Sequence, residues 1–329
     1  MQLVNETESA ATLVRVTRDE ETMAAALVVK STYEIDGGGR CGLKRRQAAV
    51  LTGPTEIEGA DFEPETVLNK DGVDLLVVGV AQAPSPGTRM MAVGVAVGPW
   101  SQQVLVFGDR AWQRRTLDWT PSDPSTFDTL RVSWANAYGG VARCSGNPVP
   151  HPGNPNGKGY VIDVDASIAD QALPNIEDPE QLLEYPSQTV EPVGFEPLPS
   201  SSMLRVATAL DESKLAGVSR SIFNVAHPRH RCAELRGGER CELSGWAGLS
   251  AADVFGLPAE EFVVVVTVDK HDYEFWPKID TVCVFPSTRT LAVTRRATFT
   301  YRYARGAARV ARLRKLDSRS EIGGVGHVR

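Results

Sequence analysis

Apolar and β-branched residues recur along the chain in short runs, separated by turns rich in Gly, Pro, Asn and Asp. The run at 24–35 ends in Asp36 and three glycines. This pattern indicates a β-hairpin, because Asp-Gly and Gly-Gly supply the positive φ angles of tight turns. The run at 73–80 is almost wholly apolar, as expected for a strand buried on both faces. Together the patterns predict at least seven strands, at 24–35, 73–80, 90–97, 103–107, 262–268, 281–285 and 290–303.

Helical patterns are few and short. One helix is predicted at 178–185, with Pro179 in its first turn, and another at 250–255, with Ser250 as its N-cap. A short basic amphipathic helix is predicted at 305–316, where apolar residues recur at helical spacing. The spacing of the strands does not suggest βαβ units. The predicted fold class is therefore mainly β, with a β-sandwich or barrel-like body, long ordered loops and few short helices.

The composition divides the chain into four predicted regions. These are an N-terminal β region (1–117), a loop-rich middle region (118–259), C-terminal strands that pack on the N-terminal region (260–304), and a basic tail (305–329). The middle region holds more than half of the 21 prolines, as a linker would, but it also carries many aromatic residues. Long loops in compact proteins tend to be functional or disordered, and we interpret this region as ordered loops packed on a β scaffold, because of its aromatic residues.

Composition and charge narrow the class of protein. With 42% hydrophobic and 23% charged residues, the 329-residue chain has ordinary globular usage and is not expected to be disordered. The formal net charge of −6 argues against nucleic-acid binding by the whole protein. Residues 289–329, however, hold 11 Lys and Arg residues and only two acidic ones. Nucleic-acid binding through this end therefore stays open as an alternative, beside docking to an acidic protein surface.

The sequence indicates a cytoplasmic protein. Its five cysteines are an odd and sparse set, which does not suggest a disulfide framework. The N-terminus lacks the basic stretch and long apolar run of a signal peptide. No apolar run approaches the ~20 residues that a membrane helix needs. We expect no membrane association.

Motifs for catalysis or cofactor binding are mostly missing from the sequence. The glycine-rich stretch 153–159 has the wrong spacing for a phosphate-binding loop, and it lacks Ser or Thr after its lysine. His227, His230, Cys232 and Cys241 fall close enough together to reach one tetrahedral zinc ion. Their spacing matches no paired-knuckle pattern, so unrelated His and Cys residues in a loop are the alternative. No cofactor is predicted.

Two short motifs allow both a structural and a binding interpretation. Asp109, Arg110 and Trp112 follow the strand predicted at 103–107, where they form either a structural ion pair with an aromatic neighbour or a ligand site. In 138–140, Tyr138, Gly139 and Gly140 form either a turn or a place where a partner approaches the backbone closely.

An ordered series of motifs resembles one bacterial family. The series consists of Phe107-Gly108-Asp109-Arg110-x-Trp112, Ala137-Tyr138-Gly139-Gly140, Asn154-Pro155-x-Gly157-Lys158-Gly159-Tyr160, Leu173-Pro174-Asn175-Ile176-Glu177-Asp178-Pro179, Pro192-Val193-Gly194-Phe195-x-Pro197, Phe223-Asn224-x-Ala226-x-Pro228, Leu235-Arg236-Gly237-Gly238-Glu239 and Asp280-Thr281-Val282. It resembles the family of the bacterial domain of unknown function 2169, which is encoded beside type VI secretion genes. The resemblance runs from about Leu27 to Tyr301, and the basic tail extends past it.

The resemblance implies a cytoplasmic adaptor or chaperone that is not an enzyme. Such a protein would help to load a toxic effector, often one with a PAAR-type tip domain, onto the VgrG spike. No catalytic residues carry over, because the family has no established reaction. The candidate partner-binding residues are Asp109, Arg110, Trp112, Tyr138, Gly139, Gly140, Asn154, Lys158, Asn175, Glu177, Phe223 and Asn224. The alternatives are a hydrolase of unknown substrate and a nucleic-acid binder that uses the basic tail.

Overall fold

The structure is a computed structural model that describes residues 1–165, 168–199, 202–203, 220–248, 252–268, 270–302 and 309–316. The strands of its first half are β1 (Gln2–Asn5), β2 (Ala10–Thr17), β3 (Thr22–Ile35), β4 (Cys41–Leu43), β5 (Thr55–Ile57), β6 (Ala60–Phe62), β7 (Val73–Val77), β8 (Val80–Gln82), β9 (Met90–Val97), β10 (Trp100–Phe107), β11 (Trp112–Arg115), β12 (Asp118–Pro121) and β13 (Thr129–Arg131). The others are β14 (Tyr138–Gly139), β15 (Val141–Cys144), β16 (Asn147–Pro150), β17 (Lys158–Gly159), β18 (Ile176–Glu177), β19 (Arg231–Cys232), β20 (Arg240–Ser244), β21 (Ala252–Gly256), β22 (Phe262–Val268), β23 (His271–Phe275), β24 (Lys278–Phe285), β25 (Thr290–Arg302) and β26 (Arg309–Lys315).

Helical structure is confined to short turns in these described ranges. Four 3-10 helices occur, at Trp134–Asn136, Arg220–Phe223, Pro228–His230 and Pro286–Thr288. Within the described ranges, no helix has the length and apolar character required to cross a bilayer. The mainly β class predicted from the sequence is confirmed.

Three open sheets form the body. The largest has the order β19-β7-β24-β25-β3-β2, with β4 also paired to β3. A five-stranded sheet has the order β18-β10-β9-β20-β21, and a four-stranded sheet has the order β1-β26-β22-β23. Each of these sheets ends in edge strands, so the body described here is built from sandwiches and contains no closed barrel.

Two hydrophobic cores lie against one face of the largest sheet. The strands β3 and β25 pair antiparallel from Thr22 with Arg302 to Glu34 with Thr290. Near Tyr33, their inward side chains pack against the five-stranded sheet, and near Leu27 they pack against the four-stranded sheet. Side chains alternate between faces along a strand, so the odd-numbered residues of β3 serve both cores. The two sandwiches therefore share one sheet.

The opposite face of the largest sheet, here called the outer face, carries a smaller apolar cluster. It combines Leu76, Cys283 and Ala292 of the sheet with Ala60 and Phe62 of the β5–β6 hairpin. The hairpin covers only part of this face, and a cavity lies beside it.

Most predicted strands lie where the sequence placed them. The hairpin after 24–35 is confirmed, because β3 pairs with β4 and the amide of Gly39 donates to the carbonyl of Asp36. The strand predicted over 73–80 is in fact two strands. The chain leaves the largest sheet after β7, and β8 pairs with β13 instead.

The helix predicted at 305–316 is wrong over its described part. Residues 309–315 form β26, which pairs with both β1 and β22 in the interior of the four-stranded sheet. Ala311 and Leu313, two positions apart, are both buried in the core beneath that sheet. Burial alternates with a period of two along this segment, as in a strand, and not with the helical period. Residues 309–315 of the predicted basic tail therefore belong to the four-stranded sheet. Residues 305–308 and 317–329 lie outside the described part.

The other two predicted helices are also wrong. Residues 252–256 form β21, whose hydrogen bonds go to β20, and Ser250 lies outside the described residues. Residues 178–181 form a tight turn closed by a bridge between Asp178 and Gln181, and the chain is irregular after it. The amide of Leu183 donates to the Glu177 carboxylate (2.9 Å) rather than to a helical carbonyl.

Replacing Leu313 with Ala tests the position of β26. Leu313 is fully buried, so Leu313→Ala is expected to lower the free energy of unfolding by about 2–5 kcal/mol, through lost apolar contact and a residual cavity. Arg312 faces the other side of the same strand and is partly exposed, so Arg312→Ala is expected to cost less than about 1 kcal/mol. Urea denaturation measures both values, and equal losses would contradict the strand assignment.

Candidate functional site

Arg110, in the loop after β10, and Glu177 of β18 form a buried ion pair. The Arg110 guanidinium donates to the Glu177 carboxylate and to the carbonyl oxygen of Pro174 (2.7 Å), and its Cζ lies 3.9 Å from the centre of the Phe107 ring. Asp109 does not bind its neighbour Arg110. Its carboxylate instead accepts from the Asn175 side chain (3.1 Å). These four motif residues thus fasten the end of β10 to the segment around β18.

Trp112 and Tyr138 belong to an apolar cluster that packs directly beside this ion pair. Both side chains are buried with Leu173 and Leu183, and the Leu173 amide donates to the carbonyl of Arg110 (2.9 Å). The Tyr138 hydroxyl donates to the carbonyl of Gln188 (3.2 Å). Burial raises the pKa of Tyr138 to about 12, which keeps this phenol neutral and able to donate.

Asn154 fixes the backbone of the Tyr138-Gly139-Gly140 segment. Its side-chain amide donates to the carbonyl oxygens of Trp134 (2.7 Å) and Tyr138 (3.0 Å). Gly139 and Gly140 have φ angles of 141° and 95°, and a Cβ atom on Gly139 would overlap the carbonyl oxygen of Asn154. The close approach is therefore made by the chain's own 154–157 loop.

Lys158 pairs through its backbone with Tyr138 on the other side of this loop. Its side chain is half-buried, and burial lowers the pKa of its ammonium group while the charge of Asp109 opposes that shift.

Asn224 lies at a second site, around the buried carboxylate of Asp74 in β7. Asp74 accepts hydrogen bonds from Lys70 (2.9 Å), from the side chain of Asn224 (2.9 Å) and from the amide of Val225 (2.9 Å). Burial by itself would raise the pKa of Asp74. The charge of Lys70 and these hydrogen bonds outweigh burial and hold the pKa below its usual value.

Asp74 and Lys70 were not among the sequence candidates. The available signal was an acid inside an otherwise apolar strand, since a charge is seldom buried there without a partner.

Phe223 lies at the cavity on the outer face. The cavity has a volume of about 320 Å³. Its floor is formed by the side chains of β7, β24 and β25 that point to the outer face. Three lysines reach it, each with an oxygen partner: Lys30 binds Glu65 (2.9 Å), Lys44 donates to Thr290 (2.6 Å) and Lys70 donates to Thr281 (2.8 Å). The apolar lining includes Ile57, Phe62, Val67, Leu76, Phe223, Val225, Cys283, Phe285 and Ala292.

The four residues considered for zinc belong to packed surroundings. The imidazole of His227 stacks on Trp134, and that of His230 stacks on Phe195 with the ring centres 4.8 Å apart. Cys232 and Cys241 lie in β19 and β20. In the described residues, no group of three or more His, Cys, Asp or Glu side chains is arranged to hold a metal ion.

The structure thus places the candidate partner-binding residues in two separate regions. The ten from Asp109 to Glu177 lie in the loops and short strands that follow β10, up to β18, here called the loop cap. Phe223 and Asn224 lie near β7. Most of these side chains are buried and hydrogen-bonded to other parts of the chain, so few of them face solvent.

The fold and the site define a β-sandwich protein with a buried, motif-rich loop cap. The chain belongs to the bacterial family described as "Uncharacterized protein conserved in bacteria (DUF2169)", which matches residues 20–296. This match confirms the family that the ordered motifs resembled. Neither a curated protein nor a solved structure matches the sequence.

Removal of the Glu177 carboxylate is expected to destabilise the protein strongly. Glu177→Ala would leave the guanidinium of Arg110 buried without its counter-charge, at an expected loss of about 3–5 kcal/mol in the free energy of unfolding. Glu242→Ala is the control, because Glu242 forms an ion pair with Arg240 at the surface and its loss should cost less than about 1 kcal/mol. Denaturant titration compares them, and similar small losses would show that the buried pair is unimportant for stability.

Asp74→Asn is expected to have a pH-dependent effect. The depressed pKa of Asp74 stabilises the folded protein above the pKa of the unfolded chain, about 4, and this contribution disappears as the pH falls through the folded pKa. The difference in unfolding free energy from the unmodified protein should therefore be largest near pH 7 and shrink towards pH 3. Unfolding curves across this range measure it. Asp71→Asn, at an exposed neighbour, is the control, and a constant deficit for Asp74→Asn would contradict the assignment.

Proposed function

We propose that this protein is a cytoplasmic adaptor of bacterial type VI secretion that binds an effector and the VgrG or PAAR spike. The family resemblance supplies the secretion context. The observation that carries an adaptor role is a short loop in the loop cap that is held firmly and displays apolar side chains to solvent.

This loop, at 178–188, is anchored at several points. Leu183 is buried in the apolar cluster, and its amide binds Glu177. The side chain of Gln188 accepts from the Glu184 amide (2.7 Å) and donates to the Leu182 carbonyl (2.7 Å). At the other end, Asp178 binds Arg229 (2.6 Å). A loop ordered in this way loses little conformational entropy when a partner binds.

Leu182 and Tyr185 project from the anchored loop. Their side chains are 36% and 52% exposed. Tyrosine is enriched among the residues that dominate binding energy at protein interfaces. Loops held by a rigid scaffold are common recognition sites. The 178–188 loop, here called the recognition loop, is therefore well suited to contact an effector.

The buried motif residues favour an adaptor over a hydrolase. The hydrogen bonds of Arg110, Asn175 and Glu177 are made to other groups of the same chain. A catalytic group has to reach substrate, whereas these groups hold loops together.

The described basic residues of β26 also have acidic neighbours. Arg314 binds Glu6 (2.9 Å), and Lys315 binds Glu260 (2.5 Å). This pairing weakens the argument for a nucleic-acid surface, because neutralised cations release few counterions from a phosphate backbone.

Co-purification tests the proposed partners. The full-length protein is expected to form a complex with the effector and the VgrG or PAAR protein encoded beside it. Absence of a complex with any of them, at micromolar concentrations and low salt, would refute the adaptor function.

Tyr185→Ala tests the recognition loop. Loss of an interface tyrosine is expected to weaken effector binding about tenfold or more, with no change in thermal stability. Tyr273→Ala is the matched control, because Tyr273 is 53% exposed but lies in β23 of the four-stranded sheet. Surface plasmon resonance measures the affinities. Equal affinity of the two variants and the unmodified protein would exclude the recognition loop as the contact.

A further inference from the structure

We propose that the cavity on the outer face binds an amphipathic monocarboxylate. The carboxylate would lie at Lys44 and Thr290, and the apolar chain would cover the floor at Leu76, Cys283 and Ala292. This inference does not rest on the adaptor function, because it concerns the opposite face of the sheet from the cores and needs no protein partner.

The strand registers place an apolar row across the cavity floor. Leu76 pairs with Cys283, and Cys283 pairs with Ala292, so the three side chains lie side by side on neighbouring strands. Three strands span about 10 Å between their outer members. Phe62, Phe223 and Val225 add apolar surface around this row.

A polar row borders the floor on one side. Thr281 and Thr294 pair across β24 and β25, and Thr294 pairs with Lys30 of β3. The two lysines near this row already have carboxylate partners, because Lys30 binds Glu65 and Lys70 binds Asp74. The positive charges of the two lysines on this side of the cavity are therefore already balanced by carboxylates.

Lys44 borders the other side and differs from these two lysines. Its ammonium group donates to the Thr290 hydroxyl (2.6 Å), and no carboxylate of the described residues lies within ion-pair distance of it. Thr290 is two positions from Ala292 along β25, so Lys44 and Thr290 stand about 7 Å from the apolar row. A carboxylate there would complete the charge balance of Lys44, with a charge-assisted hydrogen bond.

Two further acids line the cavity. Glu58 is exposed and accepts from the Thr288 hydroxyl (3.1 Å), and Glu63 is half-buried and has its own interactions. Solvent screens the exposed charge of Glu58, so it opposes an anion only weakly.

The size of the cavity sets the size of the ligand. Small-molecule sites have volumes from about 300 Å³ upwards, and a cavity of about 150 Å³ accepts benzene. A volume of about 320 Å³ suits a single unbranched chain of medium length. Octanoate is therefore the probe of choice.

Isothermal titration calorimetry of the full chain with octanoate tests the proposal. Saturable binding to one site is expected, with no detectable binding of acetate, which lacks the apolar chain. The alcohol 1-octanol is expected to bind at least about tenfold more weakly, because it cannot form the ion pair with Lys44.

Three variants locate the site. Lys44→Met is expected to weaken octanoate binding about tenfold or more, whereas Lys278→Met, at an exposed lysine of β24 that pairs with Glu234, should leave it unchanged. Ala292→Leu fills the floor and is expected to abolish binding. If this variant, at a buried position of the outer face, does not fold, the partly exposed Lys44 still decides the question. Absence of saturable octanoate binding, or equal affinity of Lys44→Met and Lys278→Met, would overturn the proposal.

Discussion

The long antiparallel pairing of β3 with β25 is the interaction on which the rest of the structure depends. Thirteen consecutive residue pairs join the two strands. One face of this ladder closes the core with the five-stranded sheet at one end and with the four-stranded sheet at the other. A shift of one residue would turn the whole inner set of side chains to the outer face. Both cores therefore fix the same register, and neither sandwich is independent of the other.

On its outer face, the shared sheet holds buried charges that are paired with opposite charges. Its outer face carries polar and charged side chains that the covering segments keep away from water, as at Asp74 and Arg296. Arg296 binds Asp280 (2.6 Å) and donates to the carbonyl oxygen of Glu65 (3.1 Å). A buried charge without such partners would cost several kcal/mol, so each covering segment has to supply them. The long loops around β7 are thus held in place by the polar groups of the sheet.

The sequence predicted β3, β7, β24 and β25 of the largest sheet, because each is a continuous or alternating apolar run of strand length, but it did not predict β2 or β19. It predicted helices at 250–255 and 305–316, and both predictions are wrong. A short segment with few apolar residues fits the helical period of 3.6 and the strand period of 2 equally well, and only its neighbours in the fold decide between them. The sequence offered an ion pair at Asp109 and Arg110 as one interpretation, whereas Arg110 binds Glu177 and Asp109 binds Asn175. The cavity was not predictable, since its floor combines residues of three strands whose register is set only by the fold.

The recognition loop and the cavity use the same scaffold in different ways. The loop is anchored by hydrogen bonds from Glu177 and Gln188, so its exposed side chains keep their positions without a partner. The cavity exists because the β5–β6 hairpin covers only part of an outer face whose apolar row is three strands wide. One feature depends on the loop cap beside β18, and the other depends on the face of β7, β24 and β25. Because different elements form the recognition loop and the cavity, a variant that disrupts one of the two should leave the other intact. The two proposals can therefore be tested separately.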